Sequence, residues 1–267
     1  MSNDKHPQEH GFKIGKVLIQ PLFGDITTLE ADAFVEPSGT SPIHSPLPLQ
    51  VAPWVVAANI DGSISKELAR HAPLQLGDLI ITSPGALLGK YLFHAVVIDW
   101  GYQHASGSLI IEEVVTSLAR KCVATAVAMG LRSIAFTPWG TRIGATEAAR
   151  ITALLVQAIT NEVQIGGGSL QTIYLISNRL DHYEWFVDRA SLFQLIFDQL
   201  HHLHKEVGSL SIPADTRTRL LNLLANVERN VVVYNQIVQG ANYDINIGHG
   251  SGIAIGDEAS TVTNARV

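Results

Sequence analysis

The sequence predicts an α/β domain, a mostly parallel sheet covered by helices, followed by a helical hairpin and a short β-rich tail. Three observations predict it. Between Phe12 and Ile176 short apolar runs alternate with longer segments of helical period, the pattern of crossover-linked strands. After Leu180 only helical spacing persists, and beyond residue 235 isoleucine alternates with small or polar residues. These changes divide the chain at 12–190, 191–235 and 236–267.

Taken in order, Phe12 to Leu22 reads as a β-rich start and Ala33 to Val35 as a central strand. Between Ser38 and Pro53, Pro42, Pro46, Pro48 and Pro53 remove amide donors, so this stretch reads as an irregular loop. Ser63 to Ala72 has helical spacing through Ile64, Leu68 and Ala72, and Gly77 to Ser83 turns to strand. Tyr91 to about Trp100 is apolar on both faces, as a buried central strand is. A long helix is expected from about Gly107 to Met129, closed by Gly130. Strand Ser133–Thr137, a glycine-containing turn, helix Thr146–Val163 and strand Thr172–Ile176 complete the alternation.

Phe193, Ile196, Leu200 and Leu203 then lie on one helical face, and Leu220, Leu224, Val227 and Val231 on another, with Pro213 between. An antiparallel hairpin of two such helices has to bury its apolar stripe on the first domain or on another copy. Tyr243 to Asp257 holds two short Ile/Gly units, each too short to fold alone. The segment 191–267 is therefore expected to support a homo-oligomer or a protein partner.

Composition narrows the function. With 18 Lys+Arg against 24 Asp+Glu, the formal net charge of −6 disfavours direct nucleic-acid binding. An anionic ligand has to be held locally by backbone amides. Cys122, the only cysteine, sits in an apolar run and reads as a small buried hydrophobe. Residues 1–11 lack an apolar h-region and no stretch approaches a membrane span, so the expectation is a cytoplasmic protein with no membrane partner.

Three ordered blocks carry a family resemblance. Gly24-Asp25-Ile26-Thr27 is followed by Asp32-Ala33-Phe34-Val35. Gly77 to Ser83 leads into Gly85-Ala86-Leu87 and Lys90-Tyr91-Leu92-Phe93-His94. Ser133 to Gly144 contains Thr137-Pro138-Trp139-Gly140-Thr141-Arg142-Ile143-Gly144, with Glu147 opening the next helix. In this order the blocks resemble the macro domain family over about two thirds of the chain.

The resemblance implies a three-layer α/β/α macro-like domain with a mixed, mostly parallel sheet, binding ADP-ribose or a similar nucleotide without a cofactor or metal. It implies that Asp25 accepts a hydrogen bond from the exocyclic adenine amine, beside Ile26; capping a turn for Thr27 and Thr28 is the plainer alternative. Gly140, Thr141, Arg142, Ile143 and Gly144 run from a strand end to a helix N-terminus, where free amides favour a diphosphate. Asn178, directly after the last strand, is a candidate for the adenine or distal ribose edge, with a purely structural loop role as its alternative. Asn59, Ile60 and Asp61 correspond to the family's first binding loop, although its glycines are replaced here by Ala57, Ala58 and Asn59.

The family's Asn-Ala-Ala-Asn is Glu36-Pro37-Ser38-Gly39 in this chain. Neither asparagine that would orient a ribose or its attacking water is present, which argues against hydrolysis. Glu36 is the one candidate general base, with loop anchoring as its alternative role. His201, His202 and His204 lack acidic or cysteine partners nearby and read as a solvated helix side, and His94 as a satisfied core histidine.

Two function classes compete. One is a binding module for ADP-ribose or a relative, a sensor or signalling component that oligomerises or docks through its C-terminal segment. The other is an enzyme that hydrolyses ADP-ribosyl conjugates on protein or nucleic acid. A degenerate fold serving as an interaction scaffold is the third possibility.

Overall fold

The structure is a computed structural model that describes residues 11–40, 51–99, 110, 112–141 and 145–238. Its centre is a seven-stranded sheet built from β1 (Phe12–Ile14), β2 (Val17–Phe23), β3 (Ala33–Gly39), β4 (Leu79–Thr82), β5 (Tyr91–Ile98), β6 (Ser133–Phe136) and β7 (Thr172–Ser177). Their spatial order is β1-β2-β7-β6-β3-β5-β4. The β1–β2 and β4–β5 pairs are antiparallel and the four inner pairings parallel, which is the mixed, mostly parallel sheet expected. β5 is buried along nearly its whole length because helices cover both of its faces.

The helices are α1 (Pro53–Ala58), α2 (Ser63–Ala69), α3 (Glu112–Ala128), α4 (Ala145–Gly166), α5 (Leu180–Ser209) and α6 (Ala214–Val238), with a 3-10 turn at Ile26–Thr28. α3 stops where the sequence says it should. Gly130 adopts φ 71°, its N–H reaches the Val127 carbonyl, and the Leu131 N–H reaches Ala126. Those two bonds satisfy carbonyls that the helix end leaves open, and the left-handed residue that makes them costs least as glycine. α4 is apolar nearly all round, with Ile151, Leu155, Val156 and Ile159 buried.

Asp32 ties the amino edge of the sheet together. Its Oδ2 accepts the Arg132 and Ser133 amides at 2.6 and 3.2 Å, and Lys90 Nζ lies 2.8 Å from Oδ1. One side chain thus joins the starts of β3, β6 and β5, which accounts for an aspartate before the apolar Ala33-Phe34-Val35.

Three expectations are revised. β3 does not end at Val35 but continues through Glu36, Pro37 and Ser38 to Gly39. Proline is tolerated there because pairing with β6 ends at Val35, so beyond it β3 has a partner on one side only. Pro53 does not belong to an irregular loop: it opens α1, where its fixed φ suits the first helical position and its missing N–H costs nothing. α5 runs unbroken from Leu180 to Ser209, so the expected boundary at residue 190 falls inside a helix, and the compact units are 1–206 and 207–267.

Residues 41–50, most of the expected Gly107–Ile111 helix start, and the Ile/Gly tail lie outside the described residues. In the first unit Phe12 of β1 stacks on Phe193 and Phe197 of α5, at centroid distances of 5.6 and 6.3 Å. Among the described residues, no helix is long and apolar enough to cross a membrane.

Candidate functional site

A cavity of about 280 Å³ opens along the carboxyl ends of β2, β7, β6, β3 and β5. In a sheet of this kind, ligands bind outside those strand ends, where helix N-termini and loop amides converge. Gly24, Asp25 and Ile26 line it after β2, Ser177, Asn178 and Arg179 after β7, and Thr137, Pro138, Gly140 and Thr141 after β6. Pro37 and Ile98 line it from β3 and β5, Ala52, Pro53 and Trp54 from the start of α1, and His182 from the first turn of α5.

Five residues singled out in the sequence therefore meet in one cleft: Asp25, Ile26, Gly140, Thr141 and Asn178. Asp25 is exposed there. Its Oδ1 accepts the Thr27 N–H at 2.9 Å, and its carbonyl accepts the Thr28 hydroxyl at 2.9 Å. The turn-capping role is thus present, and no bond to Oδ2 occurs among the described residues. Gly140 has φ 78° and its Cα faces Ile151, so a side chain there would be strained as well as crowded. Arg142, Ile143 and Gly144 lie outside the described residues.

Asn59, Ile60 and Asp61 do not line the cleft. Asn59 closes α1, donates from Nδ2 to the Ser65 hydroxyl at 2.6 Å and accepts the Ser65 amide at 3.3 Å. Asp61 accepts the Ser63 amide at 3.0 Å, and those bonds to Ser63 hold its carboxyl below the usual carboxylate range. Ile60 is 83% exposed. These residues form the turn between α1 and α2. Upstream of that turn Pro53 starts α1, and Ala57 and Ala58 extend it.

Glu36 is fully buried, and its carboxylate is occupied. Oε1 accepts the Ala52 amide at 2.7 Å, while Oε2 meets the Ser38 hydroxyl and lies 3.2 Å from His94 Nδ1. His94 Nε2 is 3.0 Å from the Thr82 hydroxyl, which donates to the Ser83 carbonyl at 3.0 Å. Glu36 thus serves as the anchor that fixes the start of α1 beside β3, and its geometry does not suit a general base facing the cleft. His94 is the satisfied core histidine the sequence suggested.

Trp54, Pro37, Arg179 and His182 were not singled out as ligand residues from the sequence. Arg179 makes two bonds to Asp181, at 3.1 and 2.7 Å, which keep it charged and hold the Asp181 carboxyl down at about 2. Burial pushes the His182 imidazole below its ordinary 6.5, favouring the neutral ring; that ring stacks on Trp185 at 4.6 Å. The one signal in the sequence for Arg179 and His182 is that they lie within six residues of the expected strand end at Ile176. Cys122 is buried and its thiol is pushed up by that burial, so it is inert packing. Among the described residues, no group of three or more His, Cys, Asp or Glu side chains could hold a metal ion.

Comparison with known proteins agrees with this frame. Residues 58–155 match the model of the macro domain family. A Mycobacterium tuberculosis protein described as uncharacterized is 26% identical over 163 residues, 61% of this chain and 42% of that one. An uncharacterized Pyrobaculum aerophilum protein is 36% identical over 90 residues, 32% of this chain and 47% of its own. The chain thus spans less than half the length of these curated relatives. Among solved structures, a point mutant of the Oceanobacillus iheyensis macrodomain aligns with TM-score 0.54 and 21% identity, covering 70% of this chain and 97% of that one. The Trypanosoma brucei macrodomain aligns with TM-score 0.50 and 20% identity, covering 65% and 66%. The matched segment covers residues 58–155, and the fold of the whole sheet is like that of these solved macrodomains.

Proposed function

We propose that the chain is a recognition module that binds ADP-ribose or a related adenosine diphosphate in the cleft at the carboxyl edge of the sheet. The observation that carries this is the convergence of Asp25, Gly140, Thr141 and Asn178 on one cavity from three different strand ends. A carboxylate at one end suits an exocyclic amine, and the loop entering the N-terminus of α4 offers amides to a diphosphate. A point mutant of the Oceanobacillus iheyensis macrodomain has been solved with ADPR.

Binding is favoured over turnover by the state of Glu36, whose oxygens are engaged by Ala52, Ser38 and His94. In this reading the C-terminal segment supplies oligomerisation or partner docking, and the cleft serves as a sensor. Calorimetry with ADP-ribose, run beside a release assay on an ADP-ribosylated protein, tests it. Saturable binding without release supports a recognition module. Release of ADP-ribose would make it a hydrolase, and silence in both assays would leave a scaffold.

A further inference from the structure

The cleft changes character along its length. Its floor crosses the ends of β2, β7, β6, β3 and β5 in that order. Neighbouring strands lie about 4.8 Å apart, so about 19 Å separate the β2 end from the β5 end. On the β2–β7 side the lining carries the hydrogen-bonding side chains Asp25, Ser177, Asn178 and Arg179 beside the apolar Ile26 and Ile176. At β6, in the middle, stand Gly140 and Thr141 before the N-terminus of α4.

The β3–β5 side is different. Pro37, Pro53, Trp54 and Ile98 line it, and Pro138 stands next to them after β6. Pro53 and Trp54 belong to this side because Glu36 Oε1 holds the Ala52 amide at 2.7 Å, seating the first turn of α1 beside the end of β3. Three of these residues are prolines, which have no amide proton to offer a phosphate or a sugar hydroxyl. Ile98 and Pro138 are buried, whereas Trp54 is half-buried and keeps part of its ring accessible. Indole and pyrrolidine faces of this kind favour a flat, weakly hydrated group, as a stacked base is.

We infer that the ligand bears a second flat ring: an adenosine diphosphate whose distal phosphate carries a nucleoside or comparable aromatic group, stacked on Trp54 against Pro37 and Pro138. This rests on the adenosine diphosphate assignment above. Asp25 then meets one base, the Gly140–Thr141 amides meet the diphosphate, and the apolar side meets the other ring.

The test is calorimetry of the full chain with ADP, ADP-ribose and diadenosine diphosphate, on the wild type and on Trp54→Ala and Trp54→Phe. Diadenosine diphosphate is expected to bind at least about fivefold tighter than ADP-ribose, the lower range for one stacked base. Trp54→Ala should weaken diadenosine diphosphate at least about fivefold more than it weakens ADP, and Trp54→Phe should keep most of the preference. Equal or weaker binding of diadenosine diphosphate by the wild type overturns the inference, as does a Trp54→Ala loss of the same size for ADP. If none of the three nucleotides binds, the adenosine diphosphate assignment itself fails, a result distinct from ADP-ribose binding alone.

Discussion

At Asp25 one carboxylate faces both its own chain and the cleft: Oδ1 holds the Thr27 amide, and the residue lines the cavity. The two roles separate by substitution. Asp25→Asn keeps an oxygen for the cap but loses the charge, so affinity for ADP-ribose should fall about ten- to hundredfold, the worth of a charge-assisted bond, with the melting temperature unchanged. Asp25→Ala should lose the same affinity and also about 0.5–2 kcal/mol of stability. An Asn variant that binds as the wild type does would remove Asp25 from ligand recognition. Glu36 is a different case, since its bonds to Ala52 and His94 are internal. Glu36→Ala leaves the buried His94 Nδ1 and the Ala52 amide without this partner, and a loss of about 1–3 kcal/mol for each in urea unfolding is expected. The sequence pointed to Asp25 because its block is local and ordered. It could not show Glu36 facing His94, because the parallel register of β3 on β5 brings together residues far apart in the chain.

α1 shows what short elements hide from periodicity. Six residues are fewer than two helical turns, too few for a 3.6-residue pattern to emerge, and the prolines before it dominate the local signal. Its existence depends on distant contacts: Glu36 at its start, and at its end the Ala58 carbonyl, which accepts the Ala86 amide at 2.8 Å. Gly85 makes that second contact possible. It sits at φ 60°, and a Cβ there would lie 2.3 Å from the Ala58 oxygen. Gly85→Ala is therefore expected to cost about 1–3 kcal/mol and to weaken ligand binding as well, because the other end of α1 lines the cleft. Paired denaturation and calorimetry would check this; a stability loss with unchanged affinity would show that α1 is not coupled to the site. By contrast α3, with several turns and a glycine stop, and the alternating β5–α3–β6–α4–β7 run were legible, because the helices are long enough to show their period and the strands between them are apolar.

For the molecule as a whole, acid should act first through carboxylates that the fold keeps ionised. Burial pushes Asp32 up, but Lys90 and the amides of Arg132 and Ser133 outweigh it, leaving the carboxyl below its ordinary 3.8. The Ser83 amide and hydroxyl hold Glu67 below 4.5. A depressed folded value means that the stability these groups supply is present above the unfolded values and lost as pH falls through the folded ones. The melting-temperature gap between wild type and Asp32→Asn should accordingly narrow as pH drops from 7 to about 3; a constant gap would mean that Asp32 acts by shape alone. Truncation after Ser209, close to the division between the compact units, should leave ADP-ribose affinity intact, while sedimentation of the full chain against the truncated one tests whether the C-terminal segment assembles it. The margins of the sheet bear on how any such assembly forms. β1 has three residues and β4 four, both antiparallel to their neighbours, so an incoming strand would find few amide–carbonyl pairs to add to. Borders this short curb growth of the sheet from one copy into the next, and self-association of this unit is left to side-chain surfaces rather than to shared backbone ladders.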